Sequence, residues 1–344
     1  MKIKSIHKKR FCDLSDSTVL TMITAAVFVI LYVFAMIVFQ KGFLKPQTFF
    51  NLLNANAALM ILSCGMTVVM VTGGIDISVG GVSALVTMCC AVFIDHHGGS
   101  FTGAALLALG IGLAFGLVQG FLVAYLEIQP FIITLAGMFF ARGMTTIVCE
   151  APFNVQNEDF VRIRETRINV PFLGSVNKNG IFINAYIEIG VIVALLTAAA
   201  LFFLLKWTRT GRAFYAVGGN RQSALMLGIN VKQTVFLSHL ICGLLAGIGG
   251  FVYFMHVGSG SAANAAGAEM NAIASAIIGG TNLMGGAGNI IGTLLGTLTL
   301  ALMQNIVSSA GLDQAWWTGI TIAVMLCIFL IVQSVLIAVR KKGK

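Results

Sequence analysis

The stretch GGIDISVGG at residues 73–81 connects two apolar runs, 57–72 and 79–94. Glycines permit backbone bends that other residues resist. Irregular backbone at membrane depth is tolerated only where it is buried in protein or lines a water-filled cavity. We therefore expect a break between two membrane helices, which places the carboxylate of Asp76 in a transport pathway or at its gate. The alternative, which is compatible with the first, is that Asp76 caps the helix that follows through its free amide groups.

A second stretch, GGTNLMGG at residues 279–286, has the same shape as the first. Each places a carboxylate or amide two residues after a glycine pair, then an aliphatic residue and another glycine pair. A weak internal repeat of this kind is typical of transporter folds, and a chance match in a chain with 39 glycines is the alternative. The two stretches supply seven candidate pathway or gate residues: Gly74, Asp76, Ser78, Gly80, Gly280, Asn282 and Gly286.

The overall composition requires a membrane. Of the 344 residues, 58% are hydrophobic and only 10% charged, and the mean hydropathy is +0.95. A soluble domain carries about a quarter charged residues because its surface faces water. Lipid must therefore replace water over most of the surface, and we predict an all-α polytopic membrane protein in the lipid bilayer.

Ten apolar segments predict about ten transmembrane helices with glycine-rich breaks. They are Thr18–Phe39, Ala57–Thr72, Val79–Ile94, Ala104–Tyr125, Phe131–Val148, Tyr186–Trp207, Thr234–Met255, Ile273–Leu283, Ile290–Val307 and Trp317–Ile337. A straight crossing needs about 20 residues. The second, third and eighth segments are shorter, and we expect broken or partly inserted helices there.

The net charge of +9 is concentrated at three places in the chain. The clusters are Lys2, Lys4, Lys8, Lys9 and Arg10; Lys206, Arg209, Arg212, Arg221 and Lys232; and Arg340, Lys341, Lys342 and Lys344. Ten spans place all three on one side, so the positive-inside rule predicts cytoplasmic N- and C-termini. The expected organisation is a tail at 1–17, a permease domain at 18–337 with an outer loop at 149–185 and a coupling loop at 208–233, and a tail at 338–344. No basic face with interleaved aromatics appears, so nucleic acid is not an expected partner.

Several residues inside or beside the spans carry further expectations. A central charge costs about 3 kcal/mol, so Arg142 should face the interior, where an ion pair or carbonyl clamp is favoured over substrate contact; it remains a candidate pathway residue. Glycines recurring every four residues in the fourth span predict close helix packing: Gly112, Gly116 and Gly120. Three acidic residues are interpreted as ordinary boundary residues: Glu188, Glu269 and Asp313. Four apolar residues alternating with polar ones in the outer loop predict half-buried extended structure: Val161, Ile163, Ile168 and Val170.

The central loop, TGRAFYAVGGN at 210–220 followed by LGI at 227–229, combines helix-like spacing with small and apolar residues. A surface of that kind suggests docking to a partner, and a membrane-surface turn held by its basic residues is the alternative. The sequence contains no GxxxxGK[ST], HExxH or GxSxG motif and no clustered His/Cys set. We therefore expect no enzyme activity and no bound cofactor or metal, with energy supplied by another subunit.

Four of these segments, in this order, resemble the permease subunits of ribose-type ABC importers, which share a superfamily with branched-chain amino-acid permeases. They are GGIDISVGG at 73–81, the segment from Thr134 to Arg142-Gly143, the central loop, and AIIGGTNLMGGAGNIIGT at 276–293. The resemblance implies a bacterial inner-membrane protein that pairs with a second permease copy or a related permease. It also implies a cytoplasmic ABC ATPase that hydrolyses ATP and an extracytoplasmic sugar-binding protein.

The resemblance further implies that the central loop is the element that seats in a groove of the ATPase. The residues assigned to this coupling role are Gly211, Arg212, Ala216, Gly219, Asn220, Ala224 and Gly228. The family commonly has Ser at Asn282 and Met284 and Leu at Ile77, which leaves the sugar open. One alternative is a permease for branched-chain amino acids or nucleosides; a zwitterion would require an essential charge, such as Arg142 or Asp76. The other is a secondary transporter that follows an ion gradient and ignores vanadate.

Overall fold

The computed structural model describes residues 16–40, 42–176, 182–312 and 314–342, which form thirteen α-helices and four short strands. In chain order these are α1 (Asp16–Val38), α2 (Pro46–Val71), α3 (Ser78–Asp95), α4 (Phe101–Ala124), α5 (Pro130–Val148), β1 (Phe153–Asn154), α6 (Glu158–Arg164), β2 (Arg167–Val176), β3 (Phe182–Glu188), α7 (Ile189–Trp207), α8 (Arg209–Gly219), α9 (Arg221–Met226), α10 (Val231–Val257), β4 (Ser259–Gly260), α11 (Ala268–Ile278), α12 (Ile290–Ser309) and α13 (Ala315–Lys342). The N-terminal basic cluster, Asp313 and Lys344 lie outside the described residues.

Eight of these helices are long and apolar enough to cross a membrane: α1 to α5, α7, α10 and α12. Two shorter apolar helices, α11 and the 319–332 part of α13, bring the number in the described chain to ten. The prediction of an all-α polytopic membrane protein is confirmed, and each predicted segment corresponds to one apolar helix. The cytoplasmic position of the termini stays a prediction.

The second segment was wrongly expected to be short. Helix α2 has 26 residues and is about 39 Å long, because it begins eleven residues before the apolar run does. Its first part is polar, and those side chains bind the outer loop. The Asn54 side chain accepts a hydrogen bond from the Glu188 amide at 3.0 Å, and Gln47 Oε1 accepts from the Tyr186 amide at 2.8 Å. Helix α3 has 18 residues and α11 only 11, so α11 is short as predicted.

The outer loop is partly helical. Val161 and Ile163 lie in α6, so the prediction of extended structure was wrong there; the buried Phe160 stacks at 4.5 Å on Phe254 of α10 and holds this helix against the bundle. Ile168 and Val170 do lie in β2, as predicted.

Strands β2 and β3 form an antiparallel hairpin, paired from Arg167 with Glu188 to Val176 with Phe182. Because β3 continues to Glu188, the sixth span begins at Ile189 and not at Tyr186. Strands β1 and β4 form a second antiparallel pair, in which Phe153 lies opposite Gly260 and joins the outer loop to the end of α10.

Helix α10 lies at the centre of the bundle, in contact with α2, α3 and α4. The glycines of α4 face it, as the four-residue spacing predicts. A methyl group on Gly112 would lie 2.5 Å from the Gly243 carbonyl oxygen, and one on Gly116 would lie 3.0 Å from the Leu240 backbone. Backbones approach this closely only where side chains are absent, and in lipid such packing replaces the hydrophobic driving force between helices.

Replacing Gly112 with Ala should weaken the contact between α4 and α10. Overpacking costs about 1–3 kcal/mol, and we expect G112A to lower the free energy of unfolding by about this amount in an SDS titration of the purified protein. Gly110 is the matched control, because it lies in the same helix and a methyl group there would meet no atom within 4 Å. Equal stabilities of G112A and G110A would contradict this packing.

Candidate translocation pathway and coupling surface

Asp76 lies in the break between α2 and α3 and is 1% exposed. Its Oδ1 accepts hydrogen bonds from the Ser78 amide at 3.0 Å and from the Ser78 hydroxyl at 2.6 Å. These bonds form a turn that satisfies the first amide of α3, whose N-cap residue is Ile77; Asp76 thus serves the start of the helix from one position before the cap. Asp76 and Ser78 are therefore both buried in the protomer, and their role in a pathway stays a prediction.

The polar contacts of Ser78 extend to α4, where its hydroxyl oxygen lies 3.0 Å from Gln119 Oε1. The Ser78 hydroxyl has one proton, so it cannot donate a full hydrogen bond to the Asp76 carboxylate and another to the Gln119 amide oxygen at the same time. Either the two oxygens share it, or the amide turns so that its nitrogen donates to Ser78. In both orientations one polar atom of Gln119 faces Gly137 on α5 with no hydrogen-bond partner among the described residues.

Gln119 also lines a groove of about 370 Å³ between α4 and α5. The other lining residues are apolar, among them Phe115, Val118 and Phe140. An unpartnered buried amide group costs about 1–3 kcal/mol. Gln119 is therefore the polar residue at this groove with unused hydrogen-bonding capacity, although its unpartnered atom is buried against Gly137.

Two further polar side chains reach Asp76 from α10. The Cys242 thiol and the His239 imidazole both lie close enough to the Asp76 carboxylate to interact with it electrostatically. His239 Nδ1 lies 3.1 Å from the Val235 carbonyl oxygen, while Nε2 has no partner among the described residues. Because His239 is eight residues beyond the start of α10, this polar cluster lies about 12 Å into the bundle.

The two glycine-rich breaks meet each other and the central loop at one place, which we call the glycine junction. The Gly286 amide donates to the Val71 carbonyl oxygen at 2.9 Å, joining the second break to the end of α2. A methyl group on Gly285 would lie 2.9 Å from the Gly218 carbonyl oxygen and 3.0 Å from Gly73 Cα. Three stretches of backbone thus touch without intervening side chains.

Left-handed backbone and local hydrogen bonds shape the second break. Gly280, Gly285 and Gly286 have φ values of +90°, +87° and +75°, which side-chain-bearing residues rarely adopt. Asn282 stabilises the turn by donating to the Gly285 carbonyl at 3.2 Å and accepting from the Met284 amide at 3.1 Å. The amide of Asn282 thus serves the local turn.

Arg142 holds the loop between β4 and α11. Its guanidinium donates to the carbonyl oxygens of Ala262 at 3.1 Å, Asn264 at 2.7 Å and Ala265 at 2.9 Å. Ala265 has φ +51°, an unfavourable conformation that this clamp helps to maintain. The interior carbonyl clamp expected from the sequence is present. It lies about 18 Å along α5, twelve residues beyond Pro130.

Glu269 was wrongly interpreted as a boundary residue. Its side chain is 12% exposed, lies 4.0 Å from Arg142, and has a buried Oε2 without a hydrogen-bond partner among the described residues. It packs directly against Gly80 of α3, where a methyl group would collide with that oxygen. The reason for the error is that the loop at 261–267 enters the bundle, so α11 starts inside it. Glu188 does lie near the outer end and pairs with His256 at 2.8 Å.

The central loop folds into α8 and α9. Thr208 caps α8 by accepting from the Gly211 amide at 3.0 Å, and Gly211 itself packs against the carbonyl oxygens of Leu204 and Leu205 at the end of α7. Asn220 caps α9 through a bond from the Ser223 amide at 2.8 Å.

The exposed part of this loop differs from the predicted one. Ala224 is 1% exposed and packs with Val217 and Val231, so it does not face the solvent. Leu225, Met226 and Leu227 are exposed instead; we call them the apolar tip. The chain turns back after the tip at Gly228, whose φ is +79°. The other residues predicted for coupling lie on α8, where Arg212 and Gly219 are exposed and Ala216 is half-buried.

Sequence reasoning missed Gln119 and His239. Gln119 is the one amide in the apolar helix α4, and His239 lies beside Ser238 in the apolar part of α10. These polar groups are the signal that could have identified both residues, because such residues face the interior of a membrane bundle. Their shared contact with the Asp76–Ser78 turn could not be read from the sequence, since α4 and α10 are remote from residue 76 along the chain.

The amino-acid sequence is similar to those of known membrane permeases. The family described as "Branched-chain amino acid transport system / permease component" matches residues 48–330. The inner membrane ABC transporter permease protein YjfF of Escherichia coli K12 is 37% identical over 91% of both chains. The fructose import permease protein FruG of Bifidobacterium longum is 32% identical, covering 98% of this chain and 96% of its own. The ribose import permease protein RbsC of Escherichia coli K12 is 31% identical over 86% of this chain and 88% of its own. No solved structure matches the chain.

The ten apolar helices and these matches define the class of protein: it is a multi-pass permease of the inner membrane. The chain belongs to the family of ABC-transporter permeases that includes the branched-chain amino-acid permease components. Permeases of this kind work with ATPase and binding-protein partners.

Removing the Arg142 guanidinium should free the loop at 261–267. Each hydrogen bond to a charged group contributes about 1.5–3 kcal/mol, so R142Q should raise amide hydrogen exchange in this loop at least about tenfold. Hydrogen-exchange mass spectrometry of the purified protein measures the effect. The exposed Arg162 of α6 supplies the control R162Q, and protection of 261–267 that is the same in both variants would show that the clamp is dispensable.

Proposed function

We propose that this chain forms the translocation pathway of a binding-protein-dependent ABC importer for a neutral monosaccharide. The observation that carries the proposal is the match, over more than four-fifths of the chain, to permeases named for fructose and ribose import. ATP is hydrolysed by a separate ATPase subunit, and this chain itself binds no cofactor and catalyses no reaction.

The charges inside the bundle support a neutral cargo. The Asp76 carboxylate is bonded to Ser78, the Arg142 guanidinium to three backbone carbonyls, and Glu269 lies 4.0 Å from Arg142. None of the described residues that line the groove beside Gln119 is charged. A zwitterionic amino acid would need opposite charges along its path, whereas a sugar needs hydrogen-bonding groups of the kind that Gln119 offers.

We assign the pathway to the side of α5 that carries the groove. Of the 19 residues of α5, only Thr134, Ala141 and Thr145 are buried in the protomer, although the helix contains Arg142. A second permease, either another copy of this chain or a related one, would cover this side and close the path. The sugar would then pass between the two permeases, and the sugar-binding protein would deliver it at the outer hairpin.

Energy would reach the pathway through the glycine junction. The apolar tip, Leu225, Met226 and Leu227, would contact the ATPase, and α9 connects it back to Gly218 near the end of α8, at the junction. The three backbones pack without space for even one methyl group at Gly285, so a displacement of α8 would be passed to both breaks. ATP-driven closure of the ATPase dimer would thereby alternate access to the two sides.

The groove assignment predicts slower transport when the amide is lost. We expect Q119M to reduce ATP-driven uptake of the sugar into proteoliposomes about 2–10-fold, since one hydrogen bond contributes about 0.5–1.5 kcal/mol. V118M replaces the neighbouring groove residue without removing a polar group and should remain within about twofold of the wild type. If Q119M transports as fast as V118M, the path lies elsewhere.

The coupling assignment predicts loss of the ATPase when the apolar tip is charged. We expect L227D to reduce co-purification of the ATPase subunit at least about tenfold in mild detergent, because the carboxylate would be buried at the interface without a partner. L173D makes the same change on an exposed residue of the outer hairpin and should retain the ATPase. Normal recovery of the ATPase with L227D would remove the tip from the interface.

A further inference from the structure

A polar cleft of about 430 Å³ lies where α1 and α12 begin and α7 ends, beneath α8. Two basic residues line it, Lys206 at the end of α7 and Arg212 on α8. None of the described residues that line it is acidic. The cleft is separate from the groove beside Gln119, and it shares Arg212 and α8 with the coupling loop.

Neither basic residue has an acidic partner within the described parts of the chain. Lys206 Nζ lies 5.2 Å from the Phe202 ring and 5.0 Å from the Trp207 ring, and Arg212 donates a long bond of 3.4 Å to the Trp207 carbonyl oxygen. These contacts orient both side chains but leave most of their donors available. An uncompensated pair of positive charges in a cleft favours an anion.

Helix α12 adds positive potential at the same place. It has 20 residues and begins at Ile290, directly at the cleft, with Asn289 as its cap. The amino-terminal end of such a helix carries about half a positive charge and attracts phosphate groups.

Tyr215 fixes the geometry of the cleft. Its hydroxyl donates to the Gly288 carbonyl oxygen at 2.9 Å, which ties α8 to the segment before α12. Burial raises the pKa of the Tyr215 phenol, so the ring contributes no negative charge that would repel an anion. The cleft is thus braced by a neutral hydrogen bond and lined by positive groups.

The surroundings of the cleft are those of a membrane surface. Phe203 and Trp207 of α7 are 59% and 54% exposed, and Met22 of α1 is 50% exposed, so apolar surface extends from the cleft along both helices. Trp207 marks the interface on the side that carries the coupling loop, which is the cytosolic side in the proposed orientation. A molecule with a phosphate group and acyl chains fits both parts.

We propose that this cleft binds a phosphate group, and that the group belongs to an anionic phospholipid of the inner leaflet. The phosphate lies between Lys206 and Arg212 at the start of α12, and the acyl chains lie along α1 and α7. Free phosphate shares the headgroup chemistry but lacks the chains, and it is distinguished below.

Native mass spectrometry of the purified chain, titrated with phosphatidylglycerol or phosphatidylcholine, tests the proposal. The wild type should bind phosphatidylglycerol at least tenfold more tightly. Each basic residue near a membrane surface contributes about a fivefold change, so K206Q and R212Q should each weaken binding about fivefold and together about 30-fold. R221Q removes the same charge outside the cleft and should remain within twofold.

Competition with inorganic phosphate distinguishes a phospholipid headgroup from free phosphate as the group bound in the cleft. At 50 mM it should leave phosphatidylglycerol bound if the acyl chains contribute; displacement would assign the cleft to free phosphate and overturn the lipid assignment. Wild-type affinity in the K206Q/R212Q double variant, or no preference over phosphatidylcholine, would overturn the site itself. Unchanged thermal unfolding of the variants excludes misfolding as the cause.

Discussion

The glycine junction is the constraint on which the rest of this permease depends. At Gly73, Gly218 and Gly285, three backbone stretches from distant parts of the sequence pack so closely that a methyl group on Gly285 would lie about 3 Å from the other two. Any side chain there would separate them. The two glycine-rich breaks and the helices of the central loop are consequently held together, although none of the three stretches belongs to the middle of a helix.

The polar groups inside the bundle follow from the same breaks. Interrupting a helix at membrane depth exposes amides and carbonyls that lipid cannot satisfy, and the chain supplies side chains for them. Asp76 serves the start of α3, Asn282 the second break, and Arg142 the loop before α11. Asp76 and Arg142 are thus buried charges that satisfy interrupted backbone, whereas Gln119, His239 and Glu269 each keep a buried polar atom without a hydrogen-bond partner among the described residues.

The sequence predicts this fold well where local chemistry decides it. Ten apolar helices, the glycine stripe of α4 and the interior partner of Arg142 all follow from composition, spacing and the cost of a charge in lipid. It fails where partners are remote. The polar start of α2 is typical of a loop in the sequence, but in the structure it is helical and Asn54 binds the hairpin. Glu269 was expected to be exposed, but the loop before it folds inward and places it 4.0 Å from Arg142. The contact of Gln119 with Ser78 joins residues 41 positions apart.

The unbroken length of α2 has a consequence for communication between the two faces of the membrane. At one end of α2, Gln47 and Asn54 accept hydrogen bonds from the hairpin strand β3. At the other end, the Val71 carbonyl oxygen accepts one from the Gly286 amide. A helix of 26 residues without a kink-forming proline in its interior is stiff and transmits a displacement from one end to the other. In the function proposed above, a binding protein that docks on the hairpin would therefore displace the second glycine-rich break through α2 before any substrate has moved.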